Sequence, residues 1–95
     1  MAHSIEASTL RILNPAGKTV GTGFFIAPNL AVTCAHVVTL ADSIYGETIG
    51  VQFTNTDEKI SAFVDPVCWR DVDKGDVTGL RLERVPPGIR PLRLG

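Results

Sequence analysis

The sequence predicts an all-β protein, a six-stranded antiparallel barrel with at most one short helical turn. The chain has 95 residues, 44% of them hydrophobic and 20% charged, which is enough for a single modest core. Nine glycines and six prolines indicate many turns. Short runs of alternating apolar and polar residues recur between these turns, and closing six such strands into a barrel removes their exposed edges.

The predicted strands cover residues 9–13, 18–26, 30–34, 49–54, 59–66 and 77–83. The first two form a hairpin, because the turn at residues 14–17 contains a proline that fixes φ and a glycine that tolerates positive φ. Gly21 and Gly23 interrupt the second strand, which indicates a bend, a bulge or a close backbone contact. The third strand is apolar, and the alanine and leucine of residues 36–41 favour a helical turn directly after it.

The second half of the chain supplies three more strands, separated by polar loops. The fourth and fifth strands alternate between apolar and polar residues, with a polar turn between them. A charged loop over residues 70–76 leads into the sixth strand, in which Leu80 and Leu82 face inward. The proline-rich end cannot donate every ladder hydrogen bond and is therefore expected to be extended. We expect a barrel over residues 1–84 and a linker over residues 85–95.

Composition argues against two classes of partner and favours a reducing compartment. Nine basic and ten acidic residues give a net charge of −1, so no basic excess drives nucleic-acid binding. No apolar run approaches the roughly 18–20 residues of a membrane span. The N-terminus lacks the features of a signal peptide, and two cysteines are too few for a disulfide framework. We expect a cytoplasmic protein with no nucleic-acid or membrane partner, in which Cys34 and Cys68 are reduced and mostly buried.

Candidate catalytic residues lie at the ends of two predicted strands. His36 follows the third strand, and histidine exchanges protons near neutral pH, as a general base must. Such a base needs a carboxylate to orient it. Asp76, 40 residues later (76 − 36) at the start of the sixth strand, can supply one, with Asp71 and Asp73 as alternatives. On spacing alone, solvated or capping roles remain the simpler interpretation of this pair.

The sequence predicts neither a cofactor nor a metal. Residues 21–26 lack the third glycine of a dinucleotide-binding fingerprint, and no helix follows them. Cys34 and His36 are separated by one residue and lack a second pair of ligands, which counts against zinc even with His3 and Cys68 considered. Alternation along the third strand points Cys34 into the core, which also counts against Cys34 as a nucleophile.

Residues 21–38 (Gly-Thr-Gly-Phe-Phe-Ile-Ala-Pro-Asn-Leu-Ala-Val-Thr-Cys-Ala-His-Val-Val) resemble the catalytic-histidine region of chymotrypsin/trypsin-like serine proteases. That region has a Gly-x-Gly-Phe strand, a turn, an apolar strand and a Ser/Thr-x-Ala-His motif. Residues 76–80 resemble the strand of the triad aspartate, although Thr78 and Gly79 replace its alanine and aliphatic residue. Residues 86–92 are similar to the segment between the two barrels. The match looks closest to bacterial intracellular trypsin-like peptidase domains.

The resemblance implies the first barrel of a two-barrel serine endopeptidase that acts on a peptide or protein substrate. His36 would be the general base, Asp76 would orient it, and a second barrel would be the partner that supplies the nucleophile and oxyanion hole. No serine of this chain lies in a Gly-Asp-Ser-Gly context; the serines are Ser4, Ser8, Ser43 and Ser61. We therefore expect an inactive chain that exposes an apolar face and either self-associates or is only marginally stable. The alternative is a non-catalytic protease-like barrel that acts as a binding or regulatory module.

Overall fold

A computed structural model describes residues 8–91 of the chain, and in it six antiparallel strands close into a barrel with one short helix. The predicted fold class is confirmed. The elements are β1 (Thr9–Leu13), β2 (Thr19–Ala27), β3 (Leu30–Thr33), α1 (Ala35–Leu40), β4 (Thr48–Phe53), β5 (Lys59–Arg70), a 3-10 turn (Val72–Lys74) and β6 (Val77–Leu82). Strand boundaries agree with the sequence prediction to within one or two residues, except at the end of β5.

The order of strands around the barrel is β1-β2-β3-β6-β5-β4, and β4 pairs with β1 to close it. The pairing of β3 with β6 joins strands far apart in sequence. In this pair Thr33, at the end of β3, lies opposite Thr78, near the start of β6. The antiparallel register therefore brings the segment after β3 beside the segment before β6, and this juxtaposition builds the candidate site.

The core fills the barrel with side chains from alternate positions of the strands and with three from α1 and the residue after it. Its members are Leu10, Ile12, Phe25, Ala31, Val37, Val38, Ala41, Ile49, Val51, Phe53, Ile60, Ala62, Val64, Leu80 and Leu82. Phe25 and Phe53 meet edge to face, with ring centroids 5.6 Å apart and an interplanar angle of 79°. Burial of one such large apolar side chain contributes about 1.5–3 kcal/mol. Val37 and Val38 belong to this core, so the helix α1 is anchored to the barrel.

Gly21 and Gly23 lie where other parts of the chain approach β2 closely. A Cβ atom at Gly21 would lie within 3 Å of both methyl carbons of Val37. One at Gly23 would lie 3.0 Å from the Val32 carbonyl oxygen. Of the bend, bulge or close contact expected at these glycines, the structure shows a close contact at both, and at Gly21 the contact is with a side chain of the helix that carries His36.

β5 continues to Arg70, four residues beyond the end predicted at Pro66. Its register with β6 shifts between Asp65 and Arg70, where Pro66 has no N–H to donate. The backbone N–H of Val67 donates instead to Oδ1 of Asp65 at 2.9 Å. The strand therefore continues beyond Pro66, because the Val67 N–H is satisfied by a side chain and not by a neighbouring strand. The presence of a proline alone predicts the end of the strand and not this continuation.

The last described residues contact the barrel. Val85 and Ile89 are partly buried against the core, and the Ser8 hydroxyl donates to the Arg90 carbonyl oxygen at 2.9 Å. The division into a barrel ending at residue 84 and a linker beginning at residue 85 stays a prediction. Between residues 8 and 91, no helix is long and apolar enough to cross a membrane.

Candidate functional site

His36 is placed by the junction between β3 and α1. Cys34 has an extended backbone (φ −81°, ψ 142°) and precedes the first residue of the helix. The Thr33 hydroxyl donates to the Thr22 carbonyl oxygen at 2.8 Å, which ties the end of β3 to β2. Ala35 and Val37 are buried on either side of His36. The apolar side of this helical turn faces the barrel, and the imidazole is left half exposed at its rim.

Asp76 is placed by a tight turn immediately before β6. The backbone N–H groups of Lys74 and Asp76 both donate to the Asp71 carbonyl oxygen, at 2.8 and 2.9 Å. Gly75 has a φ of +121° and Asp76 a φ of +51°. Positive φ is uncommon outside glycine, although aspartate adopts it more readily than most residues. The turn holds Asp76 in this conformation at the point where β6 begins, beside the end of β3.

The structure brings His36 and Asp76 together through two hydrogen bonds. The backbone N–H of His36 donates to Oδ1 of Asp76 at 2.8 Å. Nδ1 of the His36 ring lies 2.5 Å from Oδ2 of the same carboxylate. Both carboxylate oxygens are engaged by one residue, so the position of the carboxylate and the orientation of the imidazole are fixed together. Nε2, the other ring nitrogen, points away from this contact.

The environment of Asp76 favours its ionised form. The His36 backbone N–H is the main cause of a lowered pKa of the Asp76 carboxyl, below its ordinary value of 3.8, and the His36 side chain adds to the effect. Partial burial opposes the shift but does not reverse it. Asp76 therefore carries a negative charge beside the imidazole throughout the neutral pH range.

Asp71 and Asp73, the two alternatives to Asp76, lie in positions where they do not contact the His36 ring. Oδ1 of Asp71 accepts a hydrogen bond from Nε1 of Trp69 at 2.7 Å, and the Asp71 carbonyl oxygen closes the turn before β6. Asp73 is exposed within the 3-10 turn. Of the three aspartates considered from the sequence, Asp76 is the one that contacts His36.

The prediction that Cys34 is buried was wrong. Cys34 is exposed and Cys68 is half buried, and both are free thiols. The inward positions of β3 are Ala31 and Thr33. Thr33 can occupy an inward position because its hydroxyl donates to a backbone carbonyl. The alternation therefore turns Cys34 outward, toward the same rim as His36.

The described serine hydroxyls do not contact His36. Ser8 donates to the Arg90 carbonyl oxygen, Ser43 donates to Oε1 of Glu47 at 3.3 Å, and Ser61 is exposed within β5. Ser4 lies outside the described residues. Within residues 8–91, the only ring hydrogen bond of His36 is therefore the one to Asp76.

Thr78 and Gly79, which depart from the family pattern, are both buried in β6. Thr78 is fully buried, with its hydroxyl 3.5 Å from the Gly79 carbonyl oxygen. A Cβ at Gly79 would lie 2.9 Å from Cβ of Cys68. Gly79 thus accommodates the Cys68 side chain of β5, and the departure at this position has a local packing reason.

A shallow, mainly apolar depression of about 280 Å³ lies beside the pair. Phe24, Val32 and Val77 line it, together with Cys34 and Asp76. Phe24 and Val77 are 38% and 40% exposed. The same rim therefore carries an exposed apolar surface, a free thiol and the His36–Asp76 pair.

Three potential metal ligands meet at this rim. The Cys34 sulfur, a ring nitrogen of His36 and a carboxylate oxygen of Asp76 all lie within 4.8 Å of one another. In the sequence, the one-residue spacing of Cys34 and His36 and the lack of a second pair of ligands counted against zinc. The fold adds the third ligand from a residue 40 positions away.

Comparison with known proteins gives a structural likeness and no family assignment. No family model matches the sequence, and no curated protein matches it. A crystal structure of Rv3671c from M. tuberculosis H37Rv, a serine-to-alanine mutant in an inactive form, is similar, with a TM-score of 0.61 and 31% identity over 87% of this chain. The chain covers 34% of that structure's length. This likeness and the closed six-stranded barrel both fit a trypsin-like barrel.

Proposed function

We propose that this chain is the N-terminal half of a trypsin-like serine endopeptidase, in which His36 is the general base and Asp76 orients it. The observation that carries the proposal is the pair of hydrogen bonds from the His36 backbone and ring to the two oxygens of Asp76. A carboxylate with only a capping role would bond to the backbone N–H alone, whereas Asp76 also binds the ring nitrogen. The nucleophilic serine and the oxyanion hole would come from outside this chain.

The ionised Asp76 determines which ring nitrogen of His36 is free to accept a proton. With the proton on Nδ1 held by Oδ2, the lone pair of the neutral ring is on Nε2. The side chain of His36 is 50% exposed, so Nε2 is open to a group brought from another part of a longer protein. This is the arrangement that a general base requires.

In the proposed reaction, a serine oxygen attacks the scissile carbonyl carbon while its proton passes to Nε2 of His36. The imidazolium then returns this proton to the leaving amine, and the peptide C–N bond breaks to leave an acyl-enzyme. Water repeats the same sequence to release the acid. Asp76 stays ionised throughout and stabilises the imidazolium, and its lowered pKa supports that role.

The comparison supports the proposal at the level of architecture. The similar structure is nearly three times as long as the part that this chain covers, and it is an inactive form in which one serine is replaced by alanine. A protein of that length has room for a nucleophile located outside the first barrel. The exposed apolar surface beside His36 is a suitable contact for a second barrel.

The test uses the longer protein that contains this chain and a fluorophosphonate probe, which labels activated serines. We expect the longer protein to be labelled, and His36→Ala to abolish labelling and lower kcat by about 10⁶-fold. Asp76→Asn should lower kcat by about 10⁴-fold, because the ring loses the partner that fixes its tautomer. The 95-residue chain should not be labelled.

His3→Ala is the matched control, since His3 is the only other histidine of the chain, and we expect it to leave labelling unchanged. Folding of each variant is checked by circular dichroism. A longer protein that is not labelled although His36 and Asp76 are intact would contradict the endopeptidase and favour the alternative, a non-catalytic barrel that binds or regulates. Unchanged turnover in a folded His36→Ala variant would move the general base to another residue.

A further inference from the structure

We propose that Cys34, His36 and Asp76 form a binding site for Zn²⁺. The three ligand atoms lie within 4.8 Å of one another at the barrel rim, and two of the residues are exposed and the third half exposed. They belong to two segments, the β3–α1 junction and the turn before β6, which the strand register holds together. A thiolate, an imidazole and a carboxylate are the three ligand types that zinc takes from proteins.

The distances suit a small cation after a modest adjustment. Zn–S bonds of about 2.3 Å and Zn–N and Zn–O bonds of about 2.0–2.2 Å place two ligand atoms of a tetrahedral site about 3.3–3.6 Å apart. The Nδ1 to Oδ2 distance of 2.5 Å would lengthen by about 0.8 Å to reach this value. The His36 and Asp76 side chains are 50% and 24% exposed, and Oδ1 of Asp76 also accepts the His36 backbone N–H, so the adjustment would fall mainly on the half-exposed imidazole. Water would complete the tetrahedron.

The ligand set selects zinc over the common hard cations. Mg²⁺ and Ca²⁺ prefer sites built mainly of oxygen ligands, and this site offers one carboxylate. Sulfur and imidazole ligands favour zinc and other thiophilic metals. The Cys34 thiol would release its proton to solvent as the metal binds. The neutral His36 ring would bind through Nδ1 and carry its proton on Nε2 instead, so the zinc takes the place of the proton between Nδ1 and Oδ2.

Zinc binding goes beyond the proposed function, since it depends only on the three ligands. If His36 is also a general base, zinc would inhibit the longer protein by occupying the base and its carboxylate. This consequence rests on the proposed function, whereas binding to the 95-residue chain does not. A chain that does not bind zinc would therefore contradict the metal site without affecting the proposed endopeptidase, and an inactive longer protein would contradict the endopeptidase without affecting the metal site.

The experiment titrates the reduced, metal-free chain with Co²⁺, a spectroscopic substitute for Zn²⁺. We expect one equivalent to produce a thiolate-to-cobalt charge-transfer band and the strong visible bands of a tetrahedral site, and Zn²⁺ to displace the cobalt. Zn²⁺ affinity is then measured by competition with a chromogenic indicator. A chain that gives no charge-transfer band at millimolar Co²⁺ and no competition by Zn²⁺ would overturn the proposal.

Variants assign the ligands. Cys34→Ser should abolish the charge-transfer band, and it should weaken Zn²⁺ binding by at least the roughly 10- to 100-fold that loss of a ligand's hydrogen-bonding partner costs. His36→Gln and Asp76→Asn should weaken it by a similar factor. Cys68→Ser and His3→Ala, which alter the only other cysteine and histidine, should change neither. A band that disappears in Cys68→Ser, or affinity lost in His3→Ala, would place the metal elsewhere and overturn the site.

Discussion

Asp76 makes the contacts on which the candidate site depends. It takes a positive φ of 51°, a conformation that usually costs of order 1–3 kcal/mol outside glycine. The turn around the Asp71 carbonyl oxygen and the two hydrogen bonds from His36 compensate for this strain. Asn29 and Asp42 adopt a similar φ in ordinary turns, so the feature that distinguishes Asp76 is the histidine ring held by its carboxylate.

The contribution of Asp76 to stability should disappear in acid. Its folded-state pKa lies below the ordinary value of 3.8, so the unfolded chain takes up the proton first as the pH falls. The stabilisation is therefore fully present above the unfolded value and is lost as the pH falls from about 3.8 through the lowered folded value. We expect Asp76→Asn to be less stable than the native chain at pH 7, and the difference to shrink below pH 3.8.

The measurement is the urea midpoint of both chains between pH 7 and pH 2. Asp65 provides a comparison, because the Val67 backbone N–H and then Arg81 lower its pKa as well, away from His36. The stability lost in Asp65→Asn should depend on pH in a similar way, and this variant should leave Zn²⁺ binding unchanged. A stability difference between Asp76→Asn and the native chain that stays constant down to pH 2 would show that the ionised carboxylate does not stabilise the fold.

At the scale of elements, α1, which carries His36, packs closely against β2 at Gly21. Gly21 leaves space for Val37, the neighbour of His36, and a Cβ there would lie 2.4 Å from one Val37 methyl carbon. We expect Gly21→Ala to destabilise the fold by about 1–3 kcal/mol, the usual cost of overpacking. It should also shift the helix and weaken the His36–Asp76 hydrogen bond.

Gly50→Ala is the matched control, since a Cβ at Gly50 in β4 would meet Leu13 at an ordinary 3.7 Å. Urea denaturation gives the stabilities, and the nitrogen and proton chemical shifts of the His36 ring report on its hydrogen bond. Equal stability and unchanged His36 shifts in Gly21→Ala would mean that α1 is not positioned by this contact.

At the scale of the whole molecule, the apolar rim should make the isolated chain associate with itself. Phe24 and Val77 are exposed beside the candidate site, where a second barrel would cover them in the proposed protease. Without a second barrel, the same apolar surface on another copy of the chain can cover these side chains. We expect sedimentation velocity to show concentration-dependent dimers.

Phe24→Glu should then yield monomers, because the dimer would have to bury a charge. Leu40→Glu serves as the control: Leu40 is 59% exposed but does not line the depression. A native chain that stays monomeric at high concentration would contradict the association. Dimers broken by Leu40→Glu and kept by Phe24→Glu would move the interface to another face.

Local patterns were sufficient to predict the strands and the helical turn. Alternating residues such as Leu80 and Leu82 reveal which face of a strand is buried, and proline and glycine mark the turns. They could not predict the length of β5, where Asp65 satisfies the N–H beyond Pro66. They also misplaced Cys34. The buried residue at the end of β3 is Thr33, whose hydroxyl donates to a carbonyl oxygen of β2, and this distant partner cannot be read from the local pattern.

The sequence by itself determined the all-β class, the approximate strands and a set of candidates for acid–base chemistry, His36 with Asp76, Asp71 or Asp73, because these follow from neighbouring residues and short periods. Only the tertiary structure decided which aspartate meets His36, since the pairing of β3 with β6 joins segments 40 residues apart. It also turned Cys34 outward to the same rim. Contacts between distant segments arise from register and closure of the barrel, and no local pattern contains that information.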